Sequence, residues 1–202
     1  MRKTLLIIIG ILLSINLSAQ TAEEFFNNVI EKTKSYNDIS IVFNYKIINK
    51  EAGIYETMSG YASMKGSSYK LNVDGQEMIS DGKVLWTHLI DDEEVMISEV
   101  TDDNNSPLAI IESFSNNVTV SFLENNAETK AIEIKENDGE SFEKIILTTD
   151  KDLKIKKIHA YLSDGNEFVY EITEFTTNQN LPDSMFTFDE SLYPNVEVID
   201  MR

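Results

Sequence analysis

The stretch Ile39-Ser40-Ile41-Val42-Phe43-Asn44-Tyr45-Lys46-Ile47 decides the fold. Ile39, Ile41, Phe43, Tyr45 and Ile47 recur at every second residue, with Ser40, Asn44 and Lys46 between them, the period of a half-buried strand. The pattern spreads in both directions along the chain. Tyr55 to Met64 reads as extended, and Tyr69, Leu71 and Val73 alternate with Lys70 and Asn72. Val84 to Ile90 and Val95 to Val100 flank an acidic turn at Asp91-Asp92. The second half adds Val118 to Leu123, Lys130 to Lys135, Phe142 to Thr148, Ile155 to Leu162 and Phe168 to Phe175. Asp74-Gly75, Asp81-Gly82, Asp138-Gly139 and Asp164-Gly165 supply tight turns, because glycine enters positive φ freely and aspartate tolerates it. About ten or eleven strands with short connections predict an antiparallel meander. No long helices alternate with them, which argues against a doubly wound parallel sheet.

Three short segments carry the helical period instead. Thr21-Ala22-Glu23-Glu24 has the form of a capping box, followed by Phe25, Phe26, Val29 and Ile30 on one stripe, with the helix fading near Ser35. Ser106 and Pro107 open a second segment through Phe114, proline standing where its missing N–H costs nothing. Pro182 to Phe186 reads as a single turn. The fold expected is mainly β: an open antiparallel half-barrel whose two or three short helices form a lid over a hydrophobic cavity.

Residues 1–19 have the form of an export signal. Arg2 and Lys3 precede the apolar run Leu5 to Leu13, and Leu17-Ser18-Ala19 places small residues at a cleavage site before Gln20. The run is shorter than the ~20 residues a membrane-spanning helix needs. No cysteine stands anywhere in the chain, so neither lipidation at the cleavage site, nor disulfides, nor thiolate chemistry is expected. Residues 20–202 are expected to form one periplasmic domain, monomeric and not inserted stably into a membrane. The 202-residue chain carries a formal charge of −18, which repels nucleic acid and anionic headgroups alike.

Catalytic patterns are missing. His88 and His159 stand singly in strand patterns, without a second histidine or a compact carboxylate cluster at metal-ligand spacing. No Gly-x-Ser-x-Gly elbow, phosphate-cradling glycine loop or dinucleotide fingerprint occurs. Asp91-Asp92-Glu93-Glu94 and Asp102-Asp103 lack the glycine and alternating ligands of a calcium loop, so solvated turns account for them. The sequence therefore predicts no catalytic residue, no metal site, no cofactor and no enzymatic activity.

Three segments resemble one family. Ile79-Ser80-Asp81-Gly82-Lys83-Val84-Leu85-Trp86 is similar to its Ser-Asp-Gly-Lys-x-Leu-Trp segment. Gly60 to Leu71 is similar to its strand, lysine-containing turn and aromatic strand. Asn180-Leu181-Pro182, Phe186-Thr187-Phe188 and Val196-Glu197-Val198-Ile199-Asp200 are similar to its closing segment, where a turn leads into a Phe-x-Phe strand and a Val-rich strand. The chain thus resembles the periplasmic outer-membrane lipoprotein carriers (LolA-like), in their Bacteroidetes-type form. The resemblance implies about eleven antiparallel strands in an incomplete barrel, its cavity holding the acyl chains of lipoproteins. The implied partners are acylated lipoproteins, an inner-membrane lipoprotein-releasing transporter and an outer-membrane acceptor. A carrier or sensor of another envelope lipid, such as a glycolipid or pigment, is the alternative. The family's Arg-Pro pair, which fastens the lid, is absent: Lys65-Gly66-Ser67 stands there, and lysine lacks the planar fork of a guanidinium.

The residues expected to face ligand are Phe43, Tyr45, Tyr61, Tyr69, Leu71, Trp86 and Phe122 on the wall, with Ile110, Ile111 and Phe114 in the lid. Met58, Met64, Met78, Met96 and Met185 suit an adaptable cavity, because methionine fills irregular space readily. A slip of one residue in register moves a strand's whole set to the other face.

Overall fold

A computed structural model describes residues 20–101, 117–137 and 142–202. The expected signal at 1–19, the segment from Ser106 to Phe114 with Ile110, Ile111 and Phe114, and the Asp138-Gly139 turn lie outside the described residues. Helix α1 (Ala22–Lys34) begins at the capping box: Glu24 N–H donates to Thr21 Oγ1 at 3.1 Å, and Thr21 N–H donates to Glu24 Oε2 at 3.1 Å. Glu23 and Glu24 lie at its positive end and Lys32 and Lys34 at its negative end, each favoured by the helix dipole.

The strands follow as β1 (Ile39–Asn49), β2 (Ile54–Lys65), β3 (Ser68–Val73), β4 (Gln76–Ser80), β5 (Val84–Leu89) and β6 (Glu94–Glu99). Beyond them come β7 (Val118–Asn125), β8 (Thr129–Glu136), β9 (Phe142–Asp150), β10 (Ile155–Leu162), β11 (Glu167–Thr177) and β12 (Glu197–Asp200). All twelve belong to one sheet in the order β12-β6-β5-β4-β3-β2-β1-β11-β10-β9-β8-β7. Two meanders are therefore joined where β1 pairs with β11, and the sheet does not close, leaving an open half-barrel. Every pairing is antiparallel except that of β12 with β6.

The structure adds two strands to those marked by alternation. β4 is the five-residue stretch between two Asp-Gly turns, and β12 is the Val-rich end of the chain. Phe186-Thr187-Phe188 forms no strand. Asp183–Phe186 is instead a 3-10 helix, and a second follows at Glu190–Leu192.

Directly paired residues project to the same face, so the register sorts the side chains. The face against which α1 packs is called inner here. There Phe25, Phe26, Val29 and Ile30 close over Ile132, Ile134, Ile145 and Leu147, forming the main core. Burial of each such large side chain is worth about 1.5–3 kcal/mol. The helix thus rests on the β7–β10 half. On the outer face of the other half, the chain after β11 runs back as a strap: Phe186 is buried, and Phe188 and Tyr193 lie 5.5 and 4.7 Å from the His88 ring.

Candidate functional site

The candidate site is the inner face beyond α1. Ile39, Ile41, Phe43, Tyr45 and Ile47 of β1 project there, with Phe168, Tyr170 and Ile172 of β11 on one side. On the other side stand Met58, Gly60, Ala62 and Met64 of β2, then Tyr69, Leu71 and Val73 of β3. Met78, Leu85, Thr87, Leu89 and Met96 continue the surface through β4, β5 and β6. None of these side chains is charged; Glu56, opposite Ile47, and Glu94, opposite Leu89, carry the charge on this face and lie at its strand ends. Met58, Met64, Met78 and Met96 all fall on this face, whereas Met185 lies in the strap.

The outer face of the same strands is its electrostatic opposite. Glu171 bridges Lys46 at 3.1 Å and Lys157 at 3.3 Å, and Glu167 bridges Lys50 at 2.6 Å and His159 at 2.9 Å. Lys50 and Lys46 hold the Glu167 and Glu171 carboxyls below the usual carboxylate range. Lys70 and Glu77 pair at 2.8 Å, and Tyr61 Oη donates to Glu77 at 3.2 Å.

Of the expected wall residues, the register brings Phe43, Tyr45, Tyr69 and Leu71 together on the inner face. Phe122 shares that face but lies under the helix, its ring 5.5 Å from Phe25. Tyr61 and Trp86 project outward, because Tyr61 pairs with Val42 and Asn72, and Trp86 with Ile79 and Ile97. The alternation within β11 carried the signal for Phe168 and Tyr170, which complete an aromatic group with Tyr45. Tyr45 stacks on Tyr170 at 4.7 Å and on Phe168 at 5.9 Å, and Phe43 lies 6.1 Å from Tyr170. Burial pushes the hydroxyls of Tyr45, Tyr69 and Tyr170 above the ordinary tyrosine value, so they stay protonated and neutral.

Phe43 is positioned by Gly60 opposite it. A Cβ on Gly60 would stand 2.7 Å from the Phe43 ring and 2.6 Å from the Asn72 carbonyl oxygen. Only glycine lets the ring lie flat over β2. The histidines are engaged elsewhere: His88 is buried against the strap, and His159 Nδ1 is 3.2 Å from Tyr161 Oη. Among the described residues no group of three or more His, Asp or Glu side chains could hold a metal ion. No helix among them is long and apolar enough to cross a membrane.

Residues 69–189 match the model of the family described as outer membrane lipoprotein carrier protein LolA. The chain belongs to the LolA family. It is 25% identical to an outer-membrane lipoprotein carrier protein of Francisella philomiragia, over 86% of this chain and 96% of that one. Among solved structures it is similar to a LolA-superfamily protein from Nitrosomonas europaea (13% identity, TM-score 0.45, 85% of this chain and 99% of that one). A DUF1329-family protein from Desulfovibrio piger is also similar (9% identity, TM-score 0.45, 87% and 100%). LolA membership rests on the sequence match.

Proposed function

We propose that the protein is a periplasmic carrier, not an enzyme, that shields the acyl chains of lipoproteins and delivers lipoproteins from the inner to the outer membrane. The observation that carries this reading is the contrast between the two faces: an apolar, methionine-rich inner face, its carboxylates Glu56 and Glu94 confined to strand ends, backs onto an ion-paired outer one. Each buried methylene contributes ~0.8 kcal/mol, so a chain of about fifteen carries roughly 12 kcal/mol. Two or three such chains do not cross water unshielded. The inner face answers this need with aliphatic, aromatic and thioether surface, and among its described residues no fully buried charge would have to be desolvated. Release is equally necessary, and flexible methionines conform to a chain without demanding one shape. A transporter at the inner membrane and an acceptor at the outer membrane are the partners this reading requires. The formal charge of −18 opposes adhesion to anionic headgroups.

Native mass spectrometry of the protein taken gently from a Gram-negative periplasm tests the reading. A lipoprotein adduct that vanishes when lipoprotein acylation is blocked is the expected result. A free lipid or pigment adduct moves the function to another cargo. A clean unliganded mass, with no uptake of a hydrophobic fluorescent probe, overturns it.

A further inference from the structure

We propose that the Tyr45–Tyr170 pair is a polar subsite on the inner face that recognises the ester carbonyls of the bound lipid and so selects acyl esters over plain hydrocarbon. This rests on the carrier reading and adds to it what the apolar wall alone does not provide. The two rings stack at 4.7 Å with 23° between their planes, which sets two hydroxyl-bearing rings together on an otherwise apolar wall. Each hydroxyl has one O–H to donate and two lone pairs. The pair therefore has at least one O–H to offer a ligand. An ester carbonyl only accepts, so it complements that donor; a methylene chain does not.

Position favours the same role. Ile172 packs in the core beneath α1, whereas Tyr170, the next residue on that face, is 37% exposed. The pair therefore stands where helix cover ends, with aliphatic surface on one side and solvent on the other. A lipid whose chains lie along the inner face has its ester groups at such a boundary. Phe168 and Phe43 flank the pair at 5.9 Å from Tyr45 and 6.1 Å from Tyr170, holding both rings with apolar contacts. Burial raises both hydroxyls above the ordinary tyrosine value, so the donor is retained throughout the neutral range.

The test compares a synthetic diacyl-thioglyceryl lipopeptide with its dialkyl ether analogue, in competition against a hydrophobic fluorescent probe. The wild type should prefer the ester by about fivefold, the value of one neutral hydrogen bond. Tyr45→Phe/Tyr170→Phe should abolish that preference, the two affinities becoming equal, since both rings remain and only the donors are lost. A wild type without ester preference, or a double variant that keeps it, overturns the subsite. Binding of both lipopeptides in those cases leaves the carrier reading standing. Failure of the wild type to bind either lipopeptide sinks the carrier reading and the subsite with it. A diacyl phospholipid serves as the third competitor. Equal ester dependence there supports carbonyl recognition and identifies bilayer lipid as a source; ester dependence confined to the lipopeptide supports it and assigns the source to lipoprotein.

Discussion

Asp38 and Lys65 grip the same residue from opposite sides. The Asp38 carboxylate accepts from the backbone N–H groups of Gln179 at 2.8 Å and Leu181 at 3.2 Å. Lys65 Nζ donates to the Leu181 carbonyl at 2.8 Å and pairs with Asp183 at 2.6 Å. One group precedes β1 and the other ends β2, so the start of the strap is fixed to the centre of the sheet. Lys65 stands beside Gly66-Ser67, where the family resemblance implies a lid-fastening arginine, and it fastens the strap.

Asp38 makes stability depend on acid. Burial pushes its carboxyl up, but the amides of Gln179, Leu181 and Asn180 together with the Lys65 charge outweigh that and hold it below the usual carboxylate range. A carboxyl lowered in the native state stabilises fully above its unfolded value, and that contribution is lost as pH falls through the native value. The unfolded value is near ~3.9, so thermal melts should lose stability from about pH 4 downward. Asp38→Asn should melt lower than the wild type at pH 7, because an amide cannot accept from both directions, and should show a weaker acid slope. Parallel pH profiles of the two proteins would contradict this account.

Lys65 should matter more than its ion pair. Asp183 is exposed, and an exposed pair contributes about 0–1 kcal/mol. Asp183→Ala should therefore change stability by less than about 0.5 kcal/mol. Lys65→Ala also removes the bond to the Leu181 carbonyl and should cost about 1–2 kcal/mol. Hydrogen exchange should accelerate at residues 181–193 in Lys65→Ala and stay unchanged in Asp183→Ala. Equal effects of the two substitutions would reduce the contact to a surface salt bridge.

Much of this architecture is legible in the residues themselves. Alternation from Ile39 to Ile47 predicts β1 because one face is uncharged and the other is solvated or ion-paired. The Asp74-Gly75 turn is equally local: both residues take positive φ, 52° and 73°, as a tight hairpin requires. β4 is harder to read, because Glu77 sits buried at its second position and is neutralised by Lys70 on the neighbouring strand. β12 depends on a parallel partner remote in sequence. The faces of Tyr61 and Trp86 are likewise a long-range property. Parity passes from Phe43 through its pairing with Gly60, and no pattern within β2 or β5 alone says which face meets α1. The aromatic group of Tyr45, Phe168 and Tyr170 required the β1–β11 pairing for the same reason.

Gly60 should tolerate no side chain. Alanine there brings its Cβ to 2.6 Å from the Asn72 carbonyl oxygen and 2.7 Å from the Phe43 ring. The ring can turn, but the carbonyl belongs to the β3 ladder and cannot. Gly60→Ala should therefore destabilise by about 1–3 kcal/mol, the usual cost of overpacking. Adding Phe43→Leu should recover only part of the loss in urea unfolding. Full recovery would show that the ring alone demands glycine.

The opposition of the two faces can be tested at adjacent residues. Leu71 projects inward, paired with Ala62 and Met78; Asn72 projects outward, paired with Tyr61 and Glu77. Leu71→Glu places a carboxylate where bound chains would lie, and a charge without a partner in apolar surroundings is costly. Asn72→Glu adds the same charge to a polar face, opposite the Glu77 carboxylate that Lys70 already pairs. Uptake of a hydrophobic fluorescent probe should weaken by at least about tenfold in Leu71→Glu. In Asn72→Glu it should change by less than about twofold, since the added charge remains hydrated. Circular dichroism on both proteins separates lost binding from lost fold. Equal loss in two folded variants would mean that the probe does not read the inner face, and the two-faced sheet would no longer explain binding.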